Sequence, residues 1–190
     1  MITGHFGLAA GSKSVDHRAP LWSLMLATMW LDVIFVPLFL LNIETIDTPP
    51  GGGYGASVIH ADYTHSLVGA LVLSAVLGAV AWWRWDRRLG LLLGAVAFSH
   101  WVLDLIVHRG DMPILPGNAG DLPLLGFGLW RVPIASIVLE AAFLGVGVFL
   151  YWRAARSLPS ESIGRVTPSL VAGALLTSGA IVLILDTLGI

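Results

Sequence analysis

Polar interruptions divide the chain into long apolar windows. Four of them, near residues 21–41, 66–83, 89–107 and 132–152, have the roughly 20 residues that a helix needs to cross a ~30 Å hydrocarbon core. A fifth, 168–185, is nearly as long and stops at Asp186. Trp22, Trp82, Trp83, Trp85, Trp130, Tyr151 and Trp152 gather at window ends, as aromatic side chains do at a membrane–water interface. The pattern predicts an all-α, polytopic integral membrane bundle. It is expected to form a single membrane domain over residues 1–190, with about five transmembrane helices. Pro37 is expected to kink the first of them.

The opening segment, MITGHFGLAAGS, has no basic stretch before it and too short an apolar run for a cleavable signal peptide. It reads as a short N-terminal helix that folds back into the bundle after a turn around Ser14–Pro20. Two outer loops are expected. One is Asn42–Thr64, with its Thr48-Pro49-Pro50-Gly51-Gly52-Gly53 run; the other is the Pro- and Gly-rich Arg109–Arg131.

Composition sharpens the class. Hydrophobic residues make up 56% and charged residues 12%, against about a quarter charged in soluble domains, and the mean hydropathy is +0.84. That excludes a disordered chain and argues against a soluble globule. A net charge of −2 with no basic patch points to no nucleic-acid partner; the expected partners are the lipid bilayer and a small-molecule or lipid substrate. A homodimer is compatible with the pattern. With no cysteine, any metal site must be built from His, Asp and Glu.

Lys13, Arg18, Arg84, Arg87, Arg88, Arg153, Arg156 and Arg165 fall on one side of the expected spans, and Arg109 and Arg131 on the other. The positive-inside rule makes the first side cytoplasmic. The N-terminus is then inside, the C-terminus outside, and the expected location is a bacterial inner (plasma) membrane.

Asp32, Asp104, Glu140 and His100 lie inside the apolar windows. Each acid at mid-membrane costs roughly 2.5–3.5 kcal/mol on insertion scales, so something must compensate. His100, Asp104 and His108 recur every four residues and share one helix face. That spacing suits an imidazole and a carboxylate gripping one divalent ion, or a His–Asp hydrogen bond that neutralises a buried pair. In His60-Ala61-Asp62-Tyr63-Thr64-His65-Ser66, Asp62 or Thr64 is expected to cap the following helix; His65 faces the bundle if that helix begins near Thr64, and His60 reads as a loop residue. At about 1.5 Å per residue, Asp32, His100 and Glu140 share a level near mid-membrane, His5 comes within reach of Asp32, and His65 and His108 lie near the outer surface. Asp32 also fits a hydrogen bond to a neighbouring helix or a proton relay. Glu140 keeps two readings, metal contact or none, and His17 reads as a residue of the cytoplasmic turn.

Gly4-His5, Leu31-Asp32, Thr64-His65-Ser66, the run SHWVLDLIVHRGDMPILPG and Gly126-Phe127-Gly128-Leu129-Trp130 resemble the inner-membrane metal-dependent hydrolase family, a bacterial branch of membrane proteins sometimes labelled permeases. The resemblance covers residues 4 to about 140. That family's ligand pattern is in turn similar to zinc-dependent phospholipase C. Carried over by motif, the resemblance implies His5, Asp32, His65, His100, Asp104 and His108 as metal ligands. The phospholipase pattern has a helix bearing a His and a Glu four residues apart. Here Ser136 stands four residues before Glu140, which points to one or two ions rather than three.

The expected function is therefore a membrane-embedded metal-dependent hydrolase. It would act on a phosphoester or lipid-like substrate through a metal-activated water, at a site opening to the outer half of the bilayer. The divalent metal is expected to be Zn, with Mn or Fe as alternatives. Asp104 or Asp111 would serve as base, and Arg109 at the outer lip would hold a phosphate. Two other readings stand beside it: an ion or proton transporter or channel using the buried acids and histidines, and a haem-binding membrane protein with two axial histidines.

Overall fold

A computed structural model describes residues 1–158 and 167–189; Arg165, one of the cations assigned to the cytoplasmic side, lies outside the described residues. The described chain is all-α. Its helices are α1 (Ile2–Ser12), α2 (Leu21–Thr28), α3 (Trp30–Leu40), α4 (Leu67–Arg84), α5 (Arg87–Val107), α6 (Pro133–Arg156) and α7 (Pro168–Leu188). α4, α5, α6 and α7 are each long and apolar enough to cross a membrane, and α2 with α3 makes a fifth candidate if the bent pair is one span. Four windows and the N-terminal helix thus fold as the hydrophobic pattern predicts, with ends within a few residues.

The first span departs from expectation. It is not one helix kinked at Pro37 but two helices bent by 50° at Met29, with Pro37 inside α3. Met29 takes φ −97° and ψ 9°, which turns the Thr28 carbonyl away from the helix and into the bundle. There it accepts a hydrogen bond from His100 Nδ1 at 2.7 Å. A polar demand from another helix therefore places the bend.

Glycines set how closely the helices approach. A Cβ on Gly147 of α6 would stand 1.8 Å from the carbonyl oxygen of Gly7 on α1, and one on Gly7 would stand 2.3 Å from the Phe143 oxygen. α1 thus lies backbone to backbone on α6, as small residues allow between apolar helices. α4 and α5 meet in the same manner, since a Cβ on Gly90 would stand 2.7 Å from the Gly78 oxygen. The re-entrant α1 is held further by Thr3 Oγ1 donating to Gly179 O at 3.1 Å and by Thr28 Oγ1 donating to His5 O at 3.3 Å.

The α3–α4 connection carries a small element that periodicity did not suggest. β1 (Thr45–Asp47) pairs antiparallel with β2 (Val58–His60), with Ile46 opposite Ile59. His60, expected in a loop, sits on β2 against Asp47 at 3.2 Å. The cap of α4 is Ser66, whose side chain accepts from Gly69 N, rather than Asp62 or Thr64. The first amide groups of α4 are met from the α5–α6 connection, with Leu67 N and Val68 N donating to Pro113 O and Ile114 O.

At the opposite end, the turn after α1 is tied to the α4–α5 turn. Arg18 donates to both Asp16 oxygens, at 3.1 and 2.8 Å, and to Asp86 at 2.7 Å. Arg88 Nε lies 3.0 Å from Asp16. The Arg18 hydrogen bonds hold the Asp16 carboxyl down from 3.8 to about 2. A depressed acid contributes its stability fully above its unfolded value and loses it as pH falls through the folded one. Acidification from pH 4 to 2 is therefore expected to lower the protection of residues 13–20, read as exchange rate relative to the intrinsic rate at each pH, and Asp16→Asn should show low protection already at pH 7, with no further step across that window.

Candidate metal centre

The residue types that are costly in an apolar bundle meet at one place. Asp104 of α5 is the hub: its Oδ1 lies 3.0 Å from His5 Nε2, and its Oδ2 lies 3.1, 3.8 and 3.9 Å from the Nε2 atoms of His100, His65 and His108. Asp32 Oδ1 stands 3.5 Å from His65 Nε2 and 3.6 Å from His100 Nε2. The structure therefore gathers all of His5, Asp32, His65, His100, Asp104 and His108. His65 sits deeper than its position along the chain suggested. It precedes the Ser66 cap, in a turn whose side chain reaches down to the His100 level, with its Nε2 3.2 Å from His100 Nε2.

Three of the four imidazoles are oriented by their second nitrogen. A carbonyl oxygen only accepts, so His100 Nδ1, 2.7 Å from Thr28 O, donates to it, and in the neutral ring Nε2 then keeps its lone pair. His65 Nδ1 is 2.8 Å from Thr64 Oγ1, which lies 2.9 and 3.1 Å from the two oxygens of Glu44. The single hydroxyl proton goes to the carboxylate, so His65 Nδ1 donates to the hydroxyl and its Nε2 is likewise free. His108 Nδ1 faces Asp111 Oδ1 at 2.8 Å, in the same sense. Such outer partners fix ring orientation and tautomer at metal centres. His5 is different: its ring stacks on His100 with centroids 3.9 Å apart, and its Nδ1 is buried without a hydrogen-bond partner among the described residues.

Two groups have the compactness of an ion site, His5–His100–Asp104 and Asp32–His65–His100, with their donor atoms within 4.8 Å of one another. Around His65, His100, Asp32 and Asp104, five ligand-to-ligand separations run from 3.1 to 3.8 Å. A tetrahedron with bonds of about 2.0–2.1 Å has edges of roughly 3.3–3.4 Å. Either three-residue group could hold a metal ion.

Other expected participants take different places. Asp111 orients His108 and accepts from Ile59 N at 3.4 Å. Arg109 is not on the cavity wall; its Nε donates to Gly55 O at 2.8 Å and so braces the loop that covers the site. Glu140 accepts from Gly4 N at 3.2 Å and from the Tyr54 hydroxyl, so it anchors α1 and the covering loop. His17 is exposed at the far end of the bundle. Glu44 is a further member of the site that the sequence does not mark, because an acid in an outer loop reads as solvated. It is buried, and accepts from Tyr63 N and Thr64 N at 2.8 Å each as well as from the Thr64 hydroxyl. No local signal in the sequence marks it.

A cavity of about 670 Å³ opens above these side chains. Asp32, Asp104, Glu140 and Asp186 line it, and among the described residues no lysine or arginine does. Below His100 the packing is apolar, through Ala9, Leu24, Ala27, Leu93 and Val96. Comparison with family models, with curated proteins and with solved structures finds no significant match to this chain.

Proposed function

We propose that the protein is a membrane-embedded, divalent-metal-dependent hydrolase of an ester or phosphoester. The observation that carries this reading is the approach of His65 Nε2 and His100 Nε2, the nitrogens that keep lone pairs in the neutral rings, to 3.2 Å of each other beside two carboxylates. Two lone pairs at that distance repel unless a cation lies between them. A proton relieves one edge of the cluster, whereas a divalent ion relieves every edge at once and offsets the burial of Asp104.

When bound, such an ion supplies Lewis acidity and brings water activation towards neutral pH. The chain's own residues do the rest. His65, His100, Asp32 and Asp104 would hold the ion, and His5 and His108 complete the ring of imidazoles around Asp104. Asp32 has 34% of its side chain exposed, against 6% for Asp104, so of the two it is the carboxylate more open to the cavity and the better placed to accept a proton there. No lysine or arginine lines the wall among the described residues, so the ion would be the main partner of an anionic substrate group.

The other readings have less support. A proton or ion path would need polar groups continuing past His100, where the packing is apolar. A porphyrin between His65 and His100 would have to displace Asp32 and Asp104, whose oxygens lie 3.1–3.8 Å from the same nitrogens.

Elemental analysis of the detergent-purified protein, taken with its visible spectrum, tests the proposal. One or two Zn, Mn or Fe atoms per chain without a Soret band are expected. No metal after reconstitution overturns it, and a Soret band replaces it with haem. Thr64→Val keeps the side-chain shape but breaks the Glu44–Thr64–His65 relay. Loss of an outer-shell partner lowers metal affinity roughly 10–100-fold, and competition with a fluorescent chelator measures that drop.

A further inference from the structure

The shape of the cavity says more about what enters it than the ligand cluster does. β1–β2 and the loop between them form one end: Ile46, Thr48, Gly53, Tyr54, Ser57 and Ile59 line the space, with Ile46 and Ile59 paired across the strands. Tyr54 is tied down to Glu140, and Arg109 holds Gly55. This end faces the water side of the connection, and it is covered.

The side of the cavity is built differently. One wall is α3, through Asp32, Phe35 and Val36, and the other is Ile2 of α1 with Asp186 and Gly189 at the end of α7. α3 packs on α2, α4 and α5, whereas α7 packs on α6 and α1. α3 and α7 therefore do not pack extensively on each other, and the cavity runs between them. Val36 and Phe39 continue the Asp32 stripe at helical spacing and are exposed, as are Leu185 and Leu188 at the end of α7. Asp32 is the most exposed member of the metal cluster, and it stands on the α3 wall.

We propose that this gap between α3 and the end of α7 is a lateral entrance for the apolar chain of a bilayer-resident amphiphile, whose polar head then reaches the His/Asp cluster. The substrate class is a membrane lipid ester or phosphoester rather than a water-soluble one, an inference that rests on the hydrolase reading above. Size favours it. A cavity of about 670 Å³ is in the range that encloses a drug-sized molecule, enough for a head group and the start of a chain. The rest of a lipid must lie outside, and beside exposed Val36, Phe39 and Leu185 the medium that accepts hydrocarbon is the bilayer.

The test uses the full-length protein in vesicles of phosphatidylglycerol carrying a photoactivatable diazirine at mid-chain, with cross-linked residues located by mass spectrometry. Cross-links are expected to concentrate on Phe35, Val36 and Phe39 and on the end of α7. Val36→Trp should lose them, whereas Val72→Trp, on an exposed α4 position away from the cavity, should not. Labelling spread evenly over the exposed faces of α4, α5 and α6 and unchanged in Val36→Trp overturns the entrance, even if the protein holds metal. Slot-specific labelling in a wild-type protein without metal upholds the entrance and removes the hydrolase reading instead.

Discussion

Asp104→Ala is expected to purify without metal. Asp104 is the residue that four imidazoles approach, from 3.0 to 3.9 Å, so its loss removes a ligand and also the negative charge that draws the histidines together. Structural zinc sites bind with an apparent 10–16 kcal/mol, and an equal share per ligand of a four-ligand site puts the cost of one ligand at roughly two to three orders of magnitude in affinity. His100→Ala should behave alike, because it removes a lone-pair donor common to both compact groups. His17→Ala, at the far end of the bundle, should retain metal in full. Plasma mass spectrometry on the three variants, purified side by side, checks this. Equal metal in all three removes the site.

Gly147→Val should release α1 from the bundle. A Cβ at position 147 would stand 1.8 Å from the Gly7 carbonyl oxygen and 2.9 Å from its Cα. Backbone cannot yield as a flexible side chain does, so α1 must move as a unit and take His5 with it. Overpacking a core typically costs about 1–3 kcal/mol. Here the loss should exceed that range, because buried Ala9 and Ala10 and the Glu140–Gly4 hydrogen bond go with α1. The expected signature is fast hydrogen exchange over residues 2–12, a lower melting temperature and weakened metal retention. Gly145→Ala, two residues away with nothing within 4 Å of its Cβ, should match wild type. Slow exchange of α1 in Gly147→Val would show that the close approach does not hold it.

The same two sites show how unevenly the chain discloses its structure. The His100–Asp104–His108 stripe is legible because helical periodicity alone puts those three on one face, and His5 and Asp32 stand out as polar groups in apolar surroundings. Glu44 has neither signal. Its burial depends on a strand pair, a turn over Tyr63–Thr64 and a histidine 21 residues further on, all brought together only by packing. Arg109 shows the reverse case: a cation beside a candidate site looks like a phosphate ligand until the fold gives its Nε a carbonyl to hold.

Local chemistry, then, settled the type and approximate extent of the N-terminal helix and of four long helices, since about 20 apolar residues make a bilayer-length helix wherever they lie. It also marked the acids and the histidine inside the apolar windows, since charge in a hydrocarbon setting is costly enough to need a reason. What the tertiary structure decided were the relations between elements: the bend at Met29 that gives the Thr28 carbonyl to His100, the glycine contact that seats α1 on α6, and the descent of His65 to the level of Asp104. Each depends on distances between residues far apart in sequence, and those follow from how helices pack against one another rather than from the periodicity of any one of them.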